Sequence, residues 1–288
     1  MMGINPGTIQ MLHVSRQVDF GYYLIDQEEN EVLLPNGEVI GEIEIEDEIE
    51  VFVYHDHEGR PIATMKTPKI VIDTYEWVEV VGVNRGLGVF IDIGLTKDML
   101  LSKDDLPLFE ELWPEVGDKL YCSLMQDRNG RLLARLATEP VMWEIGVVGT
   151  REVFNKNIKG TIYKTVKVGS YIYTDDKLVG FIHESQRKVE PRLGQVVEGR
   201  VVDVKEDGSV NVSLLPRGHE GMDTDSQAIY DYMEGRSGAM PYSDKSTPED
   251  IQQIFNMSKG AFKRALGKLM KEGKVYQEEG WTYNSARK

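Results

Sequence analysis

The residues best placed to do chemistry lie between Gly160 and Ser185. Tyr171 and Tyr173 stand two apart there, and Phe181 and His183 do so again after a polar turn. Alternation at period two marks a half-buried strand, so each pair shares one face of its strand. Flat rings displayed on an open sheet suit unpaired nucleobases, each stacked base contributing about 1–3 kcal/mol. The same pattern also fits an ordinary strand pair whose aromatic side chains pack inward. Lys164, Arg187, Lys188 and Lys205 lie near these rings in sequence and could meet phosphates. A second basic cluster, Lys259, Lys263, Arg264, Lys268 and Lys271, falls on a stretch of helical period further on.

Other groupings carry less chemistry. Ser185 stands near His183, but no acid at useful spacing would orient a nucleophile–base pair. His55-Asp56-His57 occupies a hairpin turn and reads as a turn rather than a metal site. The run from Gly41 to Val51 alternates Ile with Glu and reads as a strand with one buried and one solvated acidic face. Cys122 sits in an apolar alternating run as a packed residue. There is no Walker loop, no C-x-x-C and no zinc-protease motif, and Gly86 and Gly88 make only a G-x-G. No catalytic constellation, cofactor or metal is expected.

Three repeats position these groups. F-G-Y-Y-L-I-D (20–26), L-G-V-F-I-D-I (87–93) and V-G-S-Y-I-Y-T (168–174) each place an aromatic two residues after a glycine. Each is followed by a second apolar strand, at 32–35, 99–102 and 181–184. Later in each unit comes a strand pair joined by a glycine turn, at 51–64, 121–135 and 201–213. A period of about 70–80 residues is too long for a solenoid and fits a small β domain repeated three times. Five short strands with glycine-marked bends suggest the partly open OB-type barrel. Residues 102–114 read as a short helix in the second repeat, and 36–38 as a tight turn in the first.

The tail differs in character. After an expected linker at 216–223, residues 225–234 form a helix with Ala228, Ile229, Tyr232 and Met233 inward. Thr247 and Ser258 cap two further helices. The second of these buries Phe262, Leu266, Leu269 and Met270. A hairpin turning at Gly280 completes a winged helix-turn-helix. The expected domains are 1–66, 67–145, 146–217 and 218–288: mainly β, three tandem barrels and an α+β winged helix.

Charge is distributed unevenly along the 288 residues. Residues 1–66 hold 3 Lys and Arg against 14 Asp and Glu, and residues 67–145 hold 8 against 14. Residues 146–222 hold 12 against 10, and residues 223–288 hold 10 against 10, within a total net charge of -15. Any surface that meets phosphates is therefore expected in the second half. A single cysteine, no basic-then-apolar leader and no long apolar run point to a soluble cytoplasmic protein without a membrane partner.

The run G-x-I-(x6)-G-x-Y-I followed by G-F-I-H-x-S (160–185) resembles the signature of the S1 RNA-binding domain. Three such repeats and a winged helix resemble the layout of the conserved virulence factor B family across nearly the full chain. In S1 domains the RNA face carries an aromatic before the middle glycine, another two residues after it, and a His on the next strand. An Asp and an Arg bracket the last hairpin turn. The resemblance implies that the third repeat binds through Tyr171 and His183, with Val168 in the first aromatic slot and Lys205 and Ser209 replacing the Asp and Arg. The second repeat keeps Phe90, Asp127 and Arg131, with Leu87 in the first slot. The first keeps Phe20, Tyr23, Asp56 and Arg60, with Pro35 near the His slot.

The resemblance implies a non-catalytic RNA-binding protein acting on gene expression after transcription. Its partner would be single-stranded RNA (mRNA or rRNA), held by Tyr171, Phe181, His183, Lys164, Arg187, Lys188 and Lys205. Lys259, Lys263, Arg264 and Lys268 would extend the track. Phe20, Tyr23, Arg60, Phe90 and Arg131 form a weaker set. Two other readings stand beside it: a DNA-binding transcription regulator led by the winged helix, and a scaffold whose acidic repeats dock a basic protein.

Overall fold

The computed structural model describes the backbone of residues 3–216 and 218–287, with side chains for all of these except 218–223 and 287. It falls into two compact units, Met1–Leu214 and Leu215–Lys288.

The first unit holds three closed five-stranded barrels. The first is β1 (Ile9–Val18), β2 (Gly21–Ile25), β3 (Glu31–Pro35), β4 (Glu48–His55) and β5 (Pro61–Thr64). The second is β6 (Glu76–Asn84), β7 (Gly88–Asp92), β8 (Met99–Ser102), β9 (Lys119–Gln126) and β10 (Leu132–Leu136), after which comes a helix, α1 (Glu139–Ile145). The third is β11 (Asn157–Val166), β12 (Gly169–Thr174), β13 (Val179–His183), β14 (Val196–Val204) and β15 (Val210–Ser213). Strand order is the same in all three: first, second, third, fifth, fourth. Inward positions carry branched apolar residues, such as Leu12, Leu24 and Val53 in the first barrel and Ile162, Ile172 and Val212 in the third. Lys97 Nζ donates to the carbonyl oxygens of His55 and Asp56, joining the second barrel to the first. Arg192 bridges to Asp118 and Glu115, joining the third to the second.

Two local features repeat in every barrel. The register of the first strand slips by one residue at Val14/Arg16, Val80/Gly82 and Ile162/Lys164, a bulge that bends the strand around the barrel. The repeated glycine opens the second strand, where the chain passes against the third. A Cβ on Gly21, Gly88 or Gly169 would lie 2.2, 2.0 or 2.3 Å from the carbonyl oxygen of Leu34, Leu101 or Ile182. Close backbone approach is what the G-x-aromatic repeat encodes.

The second unit comprises α2 (Gly218–Glu234), β16 (Ala239–Met240), α3 (Pro248–Phe255), α4 (Lys259–Lys271), β17 (Val275–Glu278) and β18 (Trp281–Asn284). The strands form a sheet in the order β16-β18-β17. Thr247 and Ser258 accept from the main-chain N–H of Asp250 and Ala261, capping α3 and α4. The wing turns through Glu279 and Gly280, both at positive φ, as a two-residue hairpin loop requires. The architecture is thus mainly β, three S1-type barrels and a winged helix.

Several local expectations are corrected. The Ile–Glu run becomes strand only from Glu48; before that the Asp47 carboxylate accepts the Glu44 N–H at 2.7 Å and folds residues 44–47 into a turn, leaving Ile45 exposed. Residues 102–114 make two 3-10 turns, Lys103–Asp105 and Glu110–Leu112, separated by Pro107. The helix α1 lies where no element is expected. The linker expected at 216–223 is helical from Gly218, with Arg217 outside the described residues. On α2, Ala228 is exposed and Ser226 is buried in its stead, donating to the Ala265 carbonyl. On α4, Ala265 faces the core and Met270 faces solvent, because the buried stripe follows 262, 265, 266 and 269.

Candidate nucleic-acid interface

Antiparallel pairing sets Tyr171 opposite Phe181 and Gly169 opposite His183. Directly paired and alternate residues share a face, so Tyr171, Tyr173, Phe181 and His183 all point away from the barrel interior, where Ile172 and Ile182 fill the core. Tyr171 meets Phe181 edge-on at 5.0 Å between centroids and tilts against Tyr163 at 5.8 Å. Lys164, its partner across β11, holds its ammonium 5.1 Å from the Tyr171 centroid.

The face is outward but only partly open. α1 packs over it with Met142 fully buried, and the Tyr173 hydroxyl donates to the Ile145 carbonyl at 2.8 Å. Trp77 of the second barrel lies 5.9 Å from the Tyr173 ring. Tyr173 is therefore structural, as is Tyr163, the buried bulge residue packed against Tyr171, whose hydroxyl pKa is pushed up by burial. Tyr171 stays half-exposed at the mouth of a cavity of about 220 Å³ lined by Trp143, Phe181, Lys205, Asp207 and Glu139. The open sheet expected for stacking is replaced by a small aromatic pocket under the edge of a helix.

The other expected residues differ in availability. His183 is exposed; its Nδ1 meets the Ser185 hydroxyl at 2.8 Å and accepts the Ser185 N–H, closing a 3-10 turn. That bond is a cap, and no acid pairs with His183 among the described residues. Arg187 is committed: its side chain is 7% exposed, donating to Ser170 Oγ at 2.6 Å and bridging Glu190 at 2.7 Å. The Arg187 guanidinium braces the end of β12 and does not reach outward for a phosphate. Lys188 and Lys205 are exposed and form no ion pair among the described residues, whereas Lys164 is 3.9 Å from Glu139.

In the first barrel the equivalent cations are paired. Arg16 lies 4.1 Å over the Tyr23 ring and binds both oxygens of Glu31. Arg60 binds Asp56 at 2.7 Å and Glu58 at 2.8 Å, and Arg131 of the second barrel binds Asp127 at 2.7 Å. Burial alone would raise the Asp56 carboxyl, but bonds from Arg60 and the Glu58 N–H hold it below the usual range. Main-chain and side-chain bonds from Arg131 do the same for Asp127. Phe20 is exposed, as are Leu87 and Val168 at the matching position, while Phe90 is half-buried against Gly82.

On α4, Lys263, Arg264 and Lys271 are exposed; Lys259 is half-buried, and Lys268 bridges to Glu272 at 3.7 Å. Gly260 and Gly267 share the exposed face with Lys263 and Arg264; the backbone is open at Gly267, whereas the Arg264 guanidinium lies 3.4 Å from the Cβ position of Gly260. Two features escaped the sequence reading. One is α1, whose Trp143 lines the pocket. The other is the aromatic face of the wing, whose hairpin was expected: Tyr276, Trp281 and Tyr283 stand on one side of it, and their signal is the alternation W-T-Y directly after Gly280. Among the described residues no group of three or more His, Cys, Asp or Glu is gathered to hold a metal, and no helix is long and apolar enough to cross a membrane.

Comparison with known proteins agrees with this architecture. Residues 6–66 match the S1 domain, 75–135 the first S1-like domain of CvfB, 142–216 the second domain of the virulence regulatory factor CvfB, and 227–283 the CvfB-like winged helix domain. The Bacillus subtilis (strain 168) protein YitL is 52% identical, with 97% of this chain and 94% of YitL covered. Conserved virulence factor B of Staphylococcus epidermidis (strain RP62A) is 38% identical over 95% of this chain and 93% of its own length. A crystal structure of a Streptococcus pneumoniae multidomain protein with nucleic acid binding domains is similar at a TM-score of 0.63 and 34% identity, covering 97% of this chain and 98% of that one. With identity of this level sustained across all four modules, the chain belongs to the conserved virulence factor B family, regulatory proteins built from S1-type and winged-helix nucleic-acid-binding domains.

Proposed function

We propose that this chain is a non-catalytic, cytoplasmic RNA-binding regulator acting on gene expression after transcription. Single-stranded RNA is held by the third barrel and the winged helix. The observation that carries this reading is the Tyr171–Phe181 pocket, with Lys164 over the ring and Lys205 at the rim. A base enters edge-first beneath Trp143 and stacks on Tyr171, while Lys164, Lys188 and Lys205 meet the backbone. Lys263, Arg264 and Lys271 supply phosphate contacts on the second unit. Few cations beside many acids imply modest, salt-sensitive affinity: a single-stranded site using about four phosphates gives a log–log salt slope near -3.

Binding of an unstructured RNA to the full chain, compared with Tyr171→Ala and with Lys263→Ala plus Arg264→Ala, tests this. Both variants should bind more weakly, and only the second should lower the salt slope. An affinity unchanged by Tyr171→Ala removes the stacking role. Sequence-specific binding of duplex DNA that survives Tyr171→Ala and is lost in the double variant would favour a transcription regulator instead. Retention of a basic protein by the acidic first barrel in nuclease-treated extract, with no RNA affinity, would favour a docking scaffold.

A further inference from the structure

Three aromatic rings lie in a row on one face of the wing. Tyr276 pairs with Tyr283 and Glu278 with Trp281, so these four side chains share a face. Val275 and Thr282, on the opposite face, are buried. The Tyr276 and Tyr283 centroids are 5.3 Å apart with planes 25° from parallel, and those of Tyr283 and Trp281 are 6.3 Å apart at 19°. None of the three rings belongs to the winged-helix core, which Val275 joins. Cross-strand aromatic pairs steady a two-stranded ribbon, by about 0.2–1 kcal/mol each, and that accounts for Tyr276 with Tyr283. It does not account for Trp281, 44% exposed beside the turn, whereas Trp113 is 7% exposed and Trp77 and Trp143 are half-buried.

We propose that the Tyr276–Tyr283–Trp281 face is a stacking platform for unpaired bases of single-stranded RNA, with Trp281 taking the outermost base. This deepens the RNA-binding reading above and rests on it. Near-parallel rings preset by their neighbours offer flat surface at little ordering cost, and every base has a face to lay on them. Glu278 opposite Trp281 and Glu279 in the turn repel phosphates from the tip, so the contact is with bases alone. Backbone charge is met instead by exposed Lys263, Arg264 and Lys271 of the same unit. Those cations also disfavour the other occupant that aromatic rings beside glutamates could attract, a basic peptide. A duplex keeps its base faces stacked inside, so the platform selects unpaired strands.

The test is a titration of the full chain with an unstructured oligoribonucleotide, read by tryptophan emission and by anisotropy of labelled RNA. Wild type should be quenched. Trp281→Phe should lose the part of the quenching due to Trp281, keeping what Trp143 reports from the third barrel, with affinity within about twofold because a stacking ring remains. Trp281→Ala should weaken binding about fivefold, the low end for one stacked base, with the salt slope unchanged because no phosphate contact is lost. Matching thermal melts of the three proteins establish that the wing is folded. Wild-type affinity in Trp281→Ala, or quenching unaltered in Trp281→Phe, overturns the platform while leaving RNA binding by Tyr171 intact. A fall in salt slope with Trp281→Ala also overturns it. Quenching of Trp281 by an arginine-rich peptide and none by RNA assigns the face to a basic protein. No RNA binding at all removes both proposals.

Discussion

The first and third barrels place an aromatic ring and a cation at the same register position, yet the cations are in different states. In the first, Arg16 sits over Tyr23 while bound by Glu31, and Arg60 is held by Asp56 and Glu58. In the third, Lys164 sits over Tyr171 with Glu139 at 3.9 Å, and Lys205 stands exposed where the first barrel has Asp56. A guanidinium in a two-bonded carboxylate fork cannot turn to a phosphate without leaving a carboxylate unpaired. An exposed ammonium gives up only hydration and a weak pair. On the RNA-binding reading proposed above, the barrel fold is neutral as to function, and the local state of each cation sets which copy is available to a polyanion.

Six substitutions, grouped in four tests, sharpen or break that contrast. The largest effect is common to both barrels and tests their shared frame. Gly21→Ala and Gly169→Ala each push a Cβ to within 2.3 Å of a carbonyl oxygen or closer, and each should cost about 2–4 kcal/mol in urea denaturation. A cost in one barrel only would break the equivalence of the two glycines. Next, Tyr171→Ala should weaken RNA binding by about 1–3 kcal/mol, roughly five- to a hundredfold, whereas Tyr23→Ala should leave it unchanged. Equal losses would mean that the paired arginines do not silence the first barrel.

Third is a pH dependence seated at the first barrel. Glu38 is buried, accepting from Thr64 Oγ1 at 2.6 Å and Thr96 Oγ1 at 2.8 Å and bridging Lys66 at 3.2 Å. Burial alone would raise its carboxyl, but these three partners bring it below the ordinary value. A carboxyl lowered on folding stabilises above its unfolded pKa and stops doing so as pH falls through its folded one. Wild type should therefore exceed Glu38→Gln by about 2 kcal/mol at neutral pH, with the gap closing below about pH 4. A gap that widens on acidification would reverse the sign. The smallest effect belongs to α4: Gly267 has nothing within 4 Å of its Cβ position, so Gly267→Ala should raise stability by about 0.5–1 kcal/mol. RNA binding should weaken if the helix backbone lies against the strand.

The three barrels were legible because each depends on short-range marks: a glycine before an aromatic, alternation, and a glycine hairpin. The caps of α3 and α4 were legible for the same reason. What could not be read was whatever depended on contact between distant segments. α1 begins at Glu139, after Thr138 at a cap position that makes no side-chain bond and with Pro140 in its first turn, and its role as a partial roof over Tyr171 follows from packing against Trp77, Tyr121 and Tyr173. Arg187 looked available in sequence, yet the fold turns it inward to Ser170. Alternation correctly placed Tyr171 and Tyr173 on one face; it carried no information that Tyr173 would be tied to Ile145. The Ile–Glu run alternates throughout, yet only its end from Glu48 is strand, because Asp47 closes a turn over residues 44–47.

In the proposed function, RNA contacts the third barrel and the winged helix and not the first barrel. Site-resolved photocrosslinking of a thiouridine-bearing single-stranded RNA to the full chain, mapped by mass spectrometry, addresses it directly. Crosslinks should concentrate at Tyr171, Phe181, His183 and Lys205 and on residues 259–284. Crosslinks concentrated between Ile9 and Thr64 would contradict it.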